Sequence, residues 1–338
     1  MKAYEIRQFG VDELVLADRD VPKPDTDEVL VRLYAASINY RDLMVVKGTY
    51  NPRMKFPTVP FSDGAGEVIE VGEGVTEWKP GDRVMPIVAQ HWYDGSLTEA
   101  IRRTSLGSGP HWDGTLREYA TFGAASLVRI PDHLSYEEAA TLPCAAITAW
   151  HALVEAGRLK AGETVLTLGT GGVSVFAVQL AKMSGAKVIS TSSSSDKIAK
   201  LRELGADEAI NYRDVPEWDK AVMELTGGTG VDHVIEVGGA GTLPRSVRAV
   251  RFGGHIGMIG ALSGAGSFDP VAVFMKNVRV SGIYIGSKRI FEEMNRAVEE
   301  NKMRPVIDRV FPFAEARDAL KYMESGSHFG KIVVRISE

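Results

Sequence analysis

Apolar and polar positions in the middle of the chain alternate between two periods. Short apolar-leaning runs such as TVLTL and KVIST are typical of buried strands, and between them lie segments with helical spacing. In the first such segment Val173, Phe176, Ala177 and Leu180 fall on one face. The pattern predicts strands at 164–168, 187–191, 208–212, 231–237 and 253–260, with helices near 173–184, 196–204, 218–226 and 243–250. Strand–helix alternation of this kind predicts an α/β domain with a doubly wound parallel sheet.

The two ends of the chain follow a different pattern. Residues 29–38 and 64–72 have strand composition, and residues 79–88 read as a turn followed by a strand. Residues 331–336 (KIVVRI) predict a last strand. The polar, Gly-containing segment 90–113 predicts a long surface excursion.

Composition limits the class of protein to which the chain can belong but does not identify its function. The chain has 338 residues, which suggests two domains, with 44% hydrophobic and 25% charged residues. A net charge of −5 without a basic cluster gives no reason to expect nucleic-acid binding. No apolar run approaches the roughly 20 residues of a membrane span, and the N-terminal MKAYEIRQFG lacks the apolar core of a signal peptide. With Cys144 as the single cysteine, we expect a cytoplasmic protein.

A glycine-rich turn links the first strand of the α/β region to its helix. In LGTGGVS (168–174), Gly169 and Gly171 match the first two glycines of a dinucleotide fingerprint, and Ser174 stands in place of the third. Together with Gly172 and Val173 they would bring backbone N–H groups and the positive end of a helix to a pyrophosphate. A strand–helix turn without a ligand is the alternative, but the α/β context favours dinucleotide binding.

The serine run VISTSSSSD (188–196) lies where cofactor choice is decided. NAD-binding proteins usually carry an acid about 20 residues past the glycine turn, and that acid would repel a 2′-phosphate. Here Ser192 and Ser193 occupy that place, with Lys197 and Tyr212 as further donors. The sequence therefore favours NADP(H). The alternative is that the serines only cap a helix, for which Ser195 is the expected N-cap, and that NAD binds without its acid.

Seven segments together resemble one family: 59–75, 79–84, 140–153, 161–174, 201–212, 230–239 and 330–334. The chain is similar to zinc-free medium-chain dehydrogenases/reductases, the quinone-oxidoreductase-like branch of the alcohol dehydrogenase superfamily. The resemblance implies a GroES-like catalytic domain formed by 1–140 and 276–338, with a Rossmann domain at 141–275 inserted between them. It also implies an active site in the cleft and a homodimer formed through the Rossmann sheets.

Zinc-dependent relatives use a cysteine, a histidine and a second cysteine as catalytic ligands. The corresponding positions here read Asn39, Ser62 and Cys144. One thiol cannot form the three-ligand site that catalytic zinc needs, and segment 90–113 has none of the four cysteines of a structural zinc lobe. We therefore predict no metal, and we expect Cys144 to be a small buried residue.

The resemblance also supplies candidates for the chemistry. Tyr50 falls where enoyl reductases of the superfamily carry a proposed proton donor, and the alternative is that it only lines an apolar pocket. Asn39 and Asp42 match positions that contact or frame the nicotinamide, and Asp42 is alternatively a helix-capping or salt-bridged residue. Lys331 could reach the pocket, but a surface lysine is the favoured interpretation. Positions carried over as cofactor contacts are Thr148, Val237, Gly238, Gly239, Ile259, Gly260, Ala261, Tyr284 and Ile285.

Two functions of different classes remain open. The first is an NADP(H)-dependent oxidoreductase that transfers hydride to or from a carbonyl, quinone or activated C=C of a small-molecule substrate. The second is a cofactor-binding protein with little turnover that serves as a binding or structural module, because fold does not establish catalysis. NADPH oxidation across a panel of quinones, enones and aldehydes separates the two.

Overall fold

A computed structural model describes residues 1–109, 111–264 and 266–337 of the chain. The chain forms two compact units. Unit 1 contains Met1–Ile147 and Ile285–Glu338, and unit 2 contains Thr148–Tyr284. Among the described helices, none combines the length and the apolar character of a membrane span.

The strands are β1 (Lys2–Ile6), β2 (Leu14–Asp18), β3 (Glu28–Ile38), β4 (Asp63–Val71), β5 (Arg83–Pro86), β6 (Tyr119–Gly123), β7 (Leu127–Arg129), β8 (Thr164–Leu168), β9 (Lys187–Ser192), β10 (Glu208–Asn211), β11 (Val231–Glu236), β12 (Val250–Met258), β13 (Arg279–Gly282), β14 (Ile307–Pro312) and β15 (Lys331–Arg335). The α-helices are α1 (Tyr40–Val46), α2 (Glu99–Arg102), α3 (Tyr136–Ala139), α4 (Ile147–Trp150), α5 (Gly172–Met183), α6 (Ser195–Glu203), α7 (Trp218–Leu225), α8 (Leu243–Ala249), α9 (Val271–Met275), α10 (Lys288–Glu300) and α11 (Ala316–Ser325). Leu142–Ala146 and His151–Ala156 are π-helical turns on either side of α4.

Unit 2 is a Rossmann domain. Its six strands are all parallel and lie in the order β10-β9-β8-β11-β12-β13, which reverses direction of winding between β8 and β11. The central strands β8, β9 and β11 are buried over almost their whole length, because helices cover such a sheet on both faces. All the strands and helices predicted for this region are present within a few residues. Val173 is the exception to the predicted apolar face of α5, because it remains half-buried at the first turn while Phe176, Ala177 and Leu180 are in the core.

The units divide at 147/148 and 284/285, whereas the boundaries expected from sequence are 140/141 and 275/276, seven and nine residues earlier. Two contacts account for these positions. The turn Leu142–Ala146 packs against β4 of unit 1, and β13 pairs with β12 as the last strand of the unit 2 sheet. Strand pairing and packing across many residues set both boundaries, so composition alone does not reveal them.

Unit 1 is built on a sheet that contains strands from both ends of the chain and is antiparallel except for the parallel β14–β15 pair. Its path is β14-β15-β3-β4-β5-β7, with β6 also paired to β3 and a separate β1-β2 pair. The C-terminal strand β15 lies against β3, so that Ile332 is opposite Ile38. On its other edge β3 pairs with β4, and Ser37 is opposite Asp63. This register brings residues from three distant parts of the sequence to one end of the sheet.

The surface excursion predicted at 90–113 is present over residues 93–103, most of which are exposed, but the residues that flank this stretch are buried; Pro110 lies outside the described residues. Gln90, Trp92, Thr104, Ser105 and Leu106 are buried, and the segment contains α2. Ser105 forms a bridge with Ala89, and the Thr104 hydroxyl donates to the Ile101 carbonyl at 2.7 Å. The hydroxyl of the buried Thr104 is therefore satisfied inside the fold, which composition does not reveal.

Candidate active site and cofactor site

The phosphate-binding turn predicted from sequence joins β8 to α5 in unit 2. Gly169 has φ of +72°, a left-handed conformation that favours glycine, and its N–H donates to the Thr191 carbonyl at 2.9 Å. Gly171 is the N-cap of α5. In the described part of the chain, apart from immediate neighbours, no heavy atom lies within 4 Å of a Cβ built on either glycine. The turn thus presents open space at the N-terminus of a 12-residue helix, as anion binding requires.

Ser174 replaces the third glycine without loss of packing. Its side chain is 2% exposed, and its hydroxyl donates to the Leu168 carbonyl at 2.7 Å. That bond ties the first turn of α5 to the end of β8. The two residues between the glycines and this serine, Gly172 and Val173, are half-buried.

The serine run forms the end of β9 and the start of α6, beside the glycine turn. Ser192 is only 2% exposed, and its hydroxyl accepts from the Ser194 N–H at 3.4 Å. Ser194, rather than the predicted Ser195, is the N-cap of α6, since its hydroxyl accepts from the Lys197 N–H. Ser193 is half-buried and Tyr212 is exposed. Among the predicted donors, Ser193 and Tyr212 are therefore more accessible than Ser192.

The turns that follow β11 and β12 lie against each other. Val237, Gly238 and Gly239 form the first turn, and Ile259, Gly260 and Ala261 form the second. A Cβ on Gly260 would meet the Val237 carbonyl oxygen at 2.4 Å, and one on Gly239 would meet the Ala261 Cα at 2.8 Å. Glycine is therefore required for this close approach.

Glu236 organises the first of these turns and was missed from sequence. Its carboxylate is fully buried and accepts from the N–H groups of Gly238 and Gly239 at 2.8 and 3.0 Å. The hydroxyls of Thr242 and Ser246 also donate to it. Its position at the end of an apolar strand, followed by two glycines, was the available signal.

The remaining expected cofactor contacts are divided between the two units. Thr148 is buried in α4 at the start of unit 2, and Tyr284 is half-buried at its end. Ile285 is buried in unit 1 and has a positive φ of 34°. Their roles toward a cofactor stay predictions.

Unit 1 holds a buried cluster of charged side chains at the end of the sheet where β3, β4 and β15 meet. Lys331 is 2% exposed, which corrects its interpretation as a surface lysine. Its ammonium donates to Asn39 Oδ1 at 2.7 Å and to the Ile38 carbonyl at 2.8 Å, and it lies 3.7 Å from Asp63 Oδ2. The β3–β15 register places Lys331 directly beside the end of β3, which a lysine before an apolar strand does not reveal.

Asp63 is the anionic partner in this cluster. It is fully buried and accepts from the hydroxyls of Ser37 at 3.2 Å and Ser62 at 3.3 Å. Burial raises the pKa of Asp63, while the Lys331 ammonium and the donated hydrogen bonds oppose that rise. Ser62 stands where a zinc-dependent relative would carry a histidine, and in this structure it supports a carboxylate.

Asp42 and Asn39 cap the start of α1. Asp42 Oδ2 accepts from the Asn39 N–H at 2.8 Å, so the helix-capping interpretation of Asp42 is correct. Burial raises the pKa of Asp42 to about 6, although the Arg41 guanidinium, 3.6 Å away, opposes the shift. The cap fixes the backbone of Asn39, and Lys331 fixes its amide oxygen.

Tyr50 joins the same part of unit 1 through Arg41. The Arg41 guanidinium lies over the Tyr50 ring at 5.0 Å from its centroid, and the ring packs against the core of the unit. Tyr50 is half-buried. The structure therefore brings the predicted Asn39, Asp42 and Tyr50 together in unit 1. For Tyr50, both pocket lining and proton donation stay open.

Known proteins share these features over the whole chain. Residues 25–132 match the alcohol dehydrogenase GroES-like domain, and residues 172–300 match the zinc-binding dehydrogenase domain. A zinc-type alcohol dehydrogenase-like protein of Schizosaccharomyces pombe is 42% identical over 97% of this chain and 96% of its own. The crystal structure of a putative alcohol dehydrogenase from Sinorhizobium meliloti 1021 is 40% identical, with a TM-score of 0.92 over 99% of this chain and 98% of its own.

The chain belongs to the medium-chain dehydrogenase/reductase superfamily. It is an oxidoreductase of that superfamily, with the GroES-like and Rossmann domains expected from sequence. The names of similar members of the superfamily describe different reactions. An acryloyl-coenzyme A reductase of Sulfurisphaera tokodaii is 30% identical over 93% of this chain and 94% of its own. A solved NAD-dependent alcohol dehydrogenase is 36% identical, with a TM-score of 0.91 over the full length of both chains. A 2-octenoyl-CoA carboxylase reductase, solved with NADP and 2-octenoyl-CoA, is 28% identical, with a TM-score of 0.87 over 99% of this chain and 87% of its own.

The side chains of this superfamily member do not fit catalytic zinc. Asn39 and Ser62 stand at two of the expected ligand positions, and the Lys331 ammonium is bonded directly to Asn39. Across residues 1–109, 111–264 and 266–337, no three His, Cys, Asp or Glu side chains are grouped so that they could hold a metal ion. Cys144 remains partly accessible rather than fully buried, and its environment raises the pKa of its thiol, chiefly by desolvation. Zinc binds the thiolate form of cysteine, so the raised pKa of Cys144 makes it a poor ligand.

Proposed function

We propose that the chain is a zinc-independent, NADP(H)-dependent oxidoreductase that transfers hydride to or from a carbonyl, quinone or activated C=C. The observation that carries this proposal is the Lys331–Asn39 bond of 2.7 Å, with Asp63 3.7 Å from the same ammonium. A fixed positive charge from the protein lies among the positions at which zinc-dependent relatives bind their metal. The site therefore retains a cation without requiring an ion.

The cofactor would be held by residues of unit 2. The glycine turn and the N-terminus of α5 would bind the pyrophosphate, and Ser193, Tyr212 and Lys197 would favour a 2′-phosphate. When bound, the nicotinamide supplies or accepts the hydride. No carboxylate follows directly on β9, since the first acid is Asp196 within α6. The 2-octenoyl-CoA carboxylase reductase solved with NADP supports this choice, whereas the NAD-dependent alcohol dehydrogenase opposes it.

The residues of unit 1 would provide the proton and the electrostatic environment. Tyr50 is the proposed proton donor, because a neutral phenol can protonate an enolate or alkoxide at pH 7. Asn39 is held at two points, by the α1 cap and by Lys331, so its amide is preorganised. The Arg41 guanidinium over the Tyr50 ring restricts the orientation of that ring.

The proposed partners are a small-molecule substrate and a second copy of the chain. Large apolar side chains are exposed around β12 and α9 of unit 2, including Phe252 at 71%, Phe274 at 65% and Met275 at 67%. Exposed apolar side chains in one region of the surface support self-association. Light scattering on the purified chain gives its oligomeric state directly; a monomer at micromolar concentration would contradict the homodimer.

Two measurements test the proposed function. Fluorescence titration compares NADPH with NADH, and absorbance at 340 nm follows NADPH oxidation with quinones, enones and aldehydes, using protein purified without a metal-binding tag. We expect tighter NADPH binding, turnover with at least one substrate class, and activity that survives a chelator in protein with substoichiometric zinc. Equal or tighter NADH binding refutes the cofactor choice, and stoichiometric zinc refutes the metal-free site. Binding without turnover supports the non-catalytic alternative.

A further inference from the structure

Two histidines on neighbouring strands of unit 2 face a cavity far from the glycine turn. His233 on β11 is opposite His255 on β12, and their ring centroids are 5.7 Å apart. Both residues line a cavity of about 240 Å³. In the register of the sheet, His233 is opposite Val165 near the start of β8 and His255 is opposite Arg279 at the start of β13, whereas Gly169 follows the carboxyl end of β8. The cavity is therefore at the end of the strands opposite to the end that carries the glycine turn.

The two rings differ in their hydrogen bonding. His233 Nε2 lies 2.9 Å from Glu163 Oε2. His255 is 1% exposed, and among the described residues neither of its ring nitrogens has a hydrogen-bond partner. A neutral imidazole has one donor and one acceptor, and buried polar atoms in folded proteins are nearly always satisfied. His255 thus requires a partner from within the cavity.

The charges around the cavity are predominantly positive. Arg158, Lys160, Arg251 and Arg279 line it together with the acids Glu163 and Asp232. Both acids are already engaged, Glu163 by His233 and Asp232 by Arg251 at 2.5 Å. Arg158, Lys160 and Arg279 therefore leave a positive excess over the carboxylates of the lining. Such a cavity favours an anion over a cation.

We propose that this cavity binds a small phosphate group, which accepts hydrogen bonds from His255 and Arg279. The cavity is several times larger than the ~30 Å³ occupied by a water in liquid, so it has room for a tetrahedral oxyanion. In the free protein the pKa of His255 is lowered to about 4, by burial first and then by the neighbouring His233 and Arg279. A bound dianion would favour the protonated imidazole, so the pKa of His255 should rise on binding.

Proton NMR of the imidazole C2–H resonances of the full-length protein tests this site. Inorganic phosphate and a small phosphomonoester such as glycerol 2-phosphate are titrated at constant ionic strength, and His255 is assigned by the His255→Gln variant. We expect a saturable shift of the His255 resonance and an increase of its pKa by at least one unit. Arg279→Gln should weaken binding at least tenfold, whereas His111→Gln, which changes an exposed histidine of unit 1, should bind like the unmodified chain.

The comparison of ligands distinguishes the source of the phosphate group. Tighter binding of the phosphomonoester indicates an organic phosphate, and tighter binding of inorganic phosphate indicates the free ion; either supports the site. Repeating the titration with Gly171→Val excludes signals that arise from the glycine turn. An unperturbed His255 resonance, an affinity unchanged by Arg279→Gln, or acetate binding as tightly as phosphate would overturn the proposal. None of these results bears on cofactor binding or turnover.

Discussion

The buried Lys331 ammonium makes a strong prediction about stability. Lys331→Met keeps the length of the side chain and removes its charge. The variant loses the bonds to Asn39 Oδ1 at 2.7 Å and the Ile38 carbonyl at 2.8 Å. It also leaves the Asp63 carboxylate without its cation in a site that is 0% exposed.

The expected cost follows from the distance between the charges. At the 3.7 Å that separates Lys331 Nζ from Asp63 Oδ2, an effective dielectric constant of ~20 gives an attraction of ~4 kcal/mol. Removing one member of a buried pair typically costs about 3–5 kcal/mol, because the other charge is left unpaired. We therefore expect Lys331→Met to lower the free energy of unfolding of unit 1 by about 3–5 kcal/mol. Adding Asp63→Asn should recover more than half of the loss, since no unpaired charge then remains.

Urea unfolding followed by hydrogen exchange and mass spectrometry reports peptides of each unit separately. The matched control is Lys182→Met in unit 2, which breaks a 2.9 Å pair with Asp207 whose side chains are 32% and 45% exposed. Exposed pairs contribute about 0–1 kcal/mol, so this variant should be nearly neutral. The reasoning is refuted if Lys331→Met costs no more than Lys182→Met, or if the charge-neutral double variant is no more stable than the single one.

Further predictions concern pH, cofactor choice and the glycine turn. The raised pKa of Asp42, about 6, means that its contribution to stability is present below the unfolded value of 3.8 and is lost as pH rises through 6. Between pH 4 and 7, this group should change the free energy of unfolding measured in urea by roughly 3 kcal/mol, and Asp42→Asn should remove that change. A variant whose free energy of unfolding depends on pH as in the unmodified chain would contradict the prediction. Ser193→Asp should weaken NADPH at least ~10-fold more than NADH in fluorescence titrations, while the uncharged Ser193→Asn should not; equal losses would reject the 2′-phosphate site. Gly171→Val should preserve the melting temperature, because its Cβ meets open space, but weaken cofactor binding at least ~10-fold; an unchanged affinity would place the cofactor elsewhere.

The sequence predicted correctly those features that depend only on residues close together in the chain, such as strands and tight turns. Apolar runs predicted β8 to β12 because a buried parallel strand needs side chains that pack on both faces. Gly169 was predicted correctly because a left-handed turn favours glycine. Errors of one position arose where competing residues were alike, as when Ser194 rather than Ser195 capped α6. Any of the four consecutive serines could serve as the N-cap, and the residue at which the helix begins determines which one does.

The candidate site was predictable only in part. Asn39, Asp42 and Tyr50 lie within 12 positions of one another, and resemblance to a family was enough to find them. Lys331 was interpreted as a surface residue and Asp63 was not singled out, because their proximity depends on strand pairing. The buried residues of 90–113 were missed for a related reason, since their polar groups are satisfied by partners that composition does not show.

The sequence by itself determined the strand–helix alternation of the Rossmann domain, the glycine turn, the absence of an acid after β9 and the lack of a three-ligand zinc set. These follow from residue type and local spacing. The tertiary structure decided which charges meet. The β15–β3–β4 register joins Lys331 to Asn39 and Asp63, and the β11–β12 register places His233 opposite His255. Electrostatic energy depends on distance and burial, and long-range strand pairing fixes both for residues that are far apart in the chain.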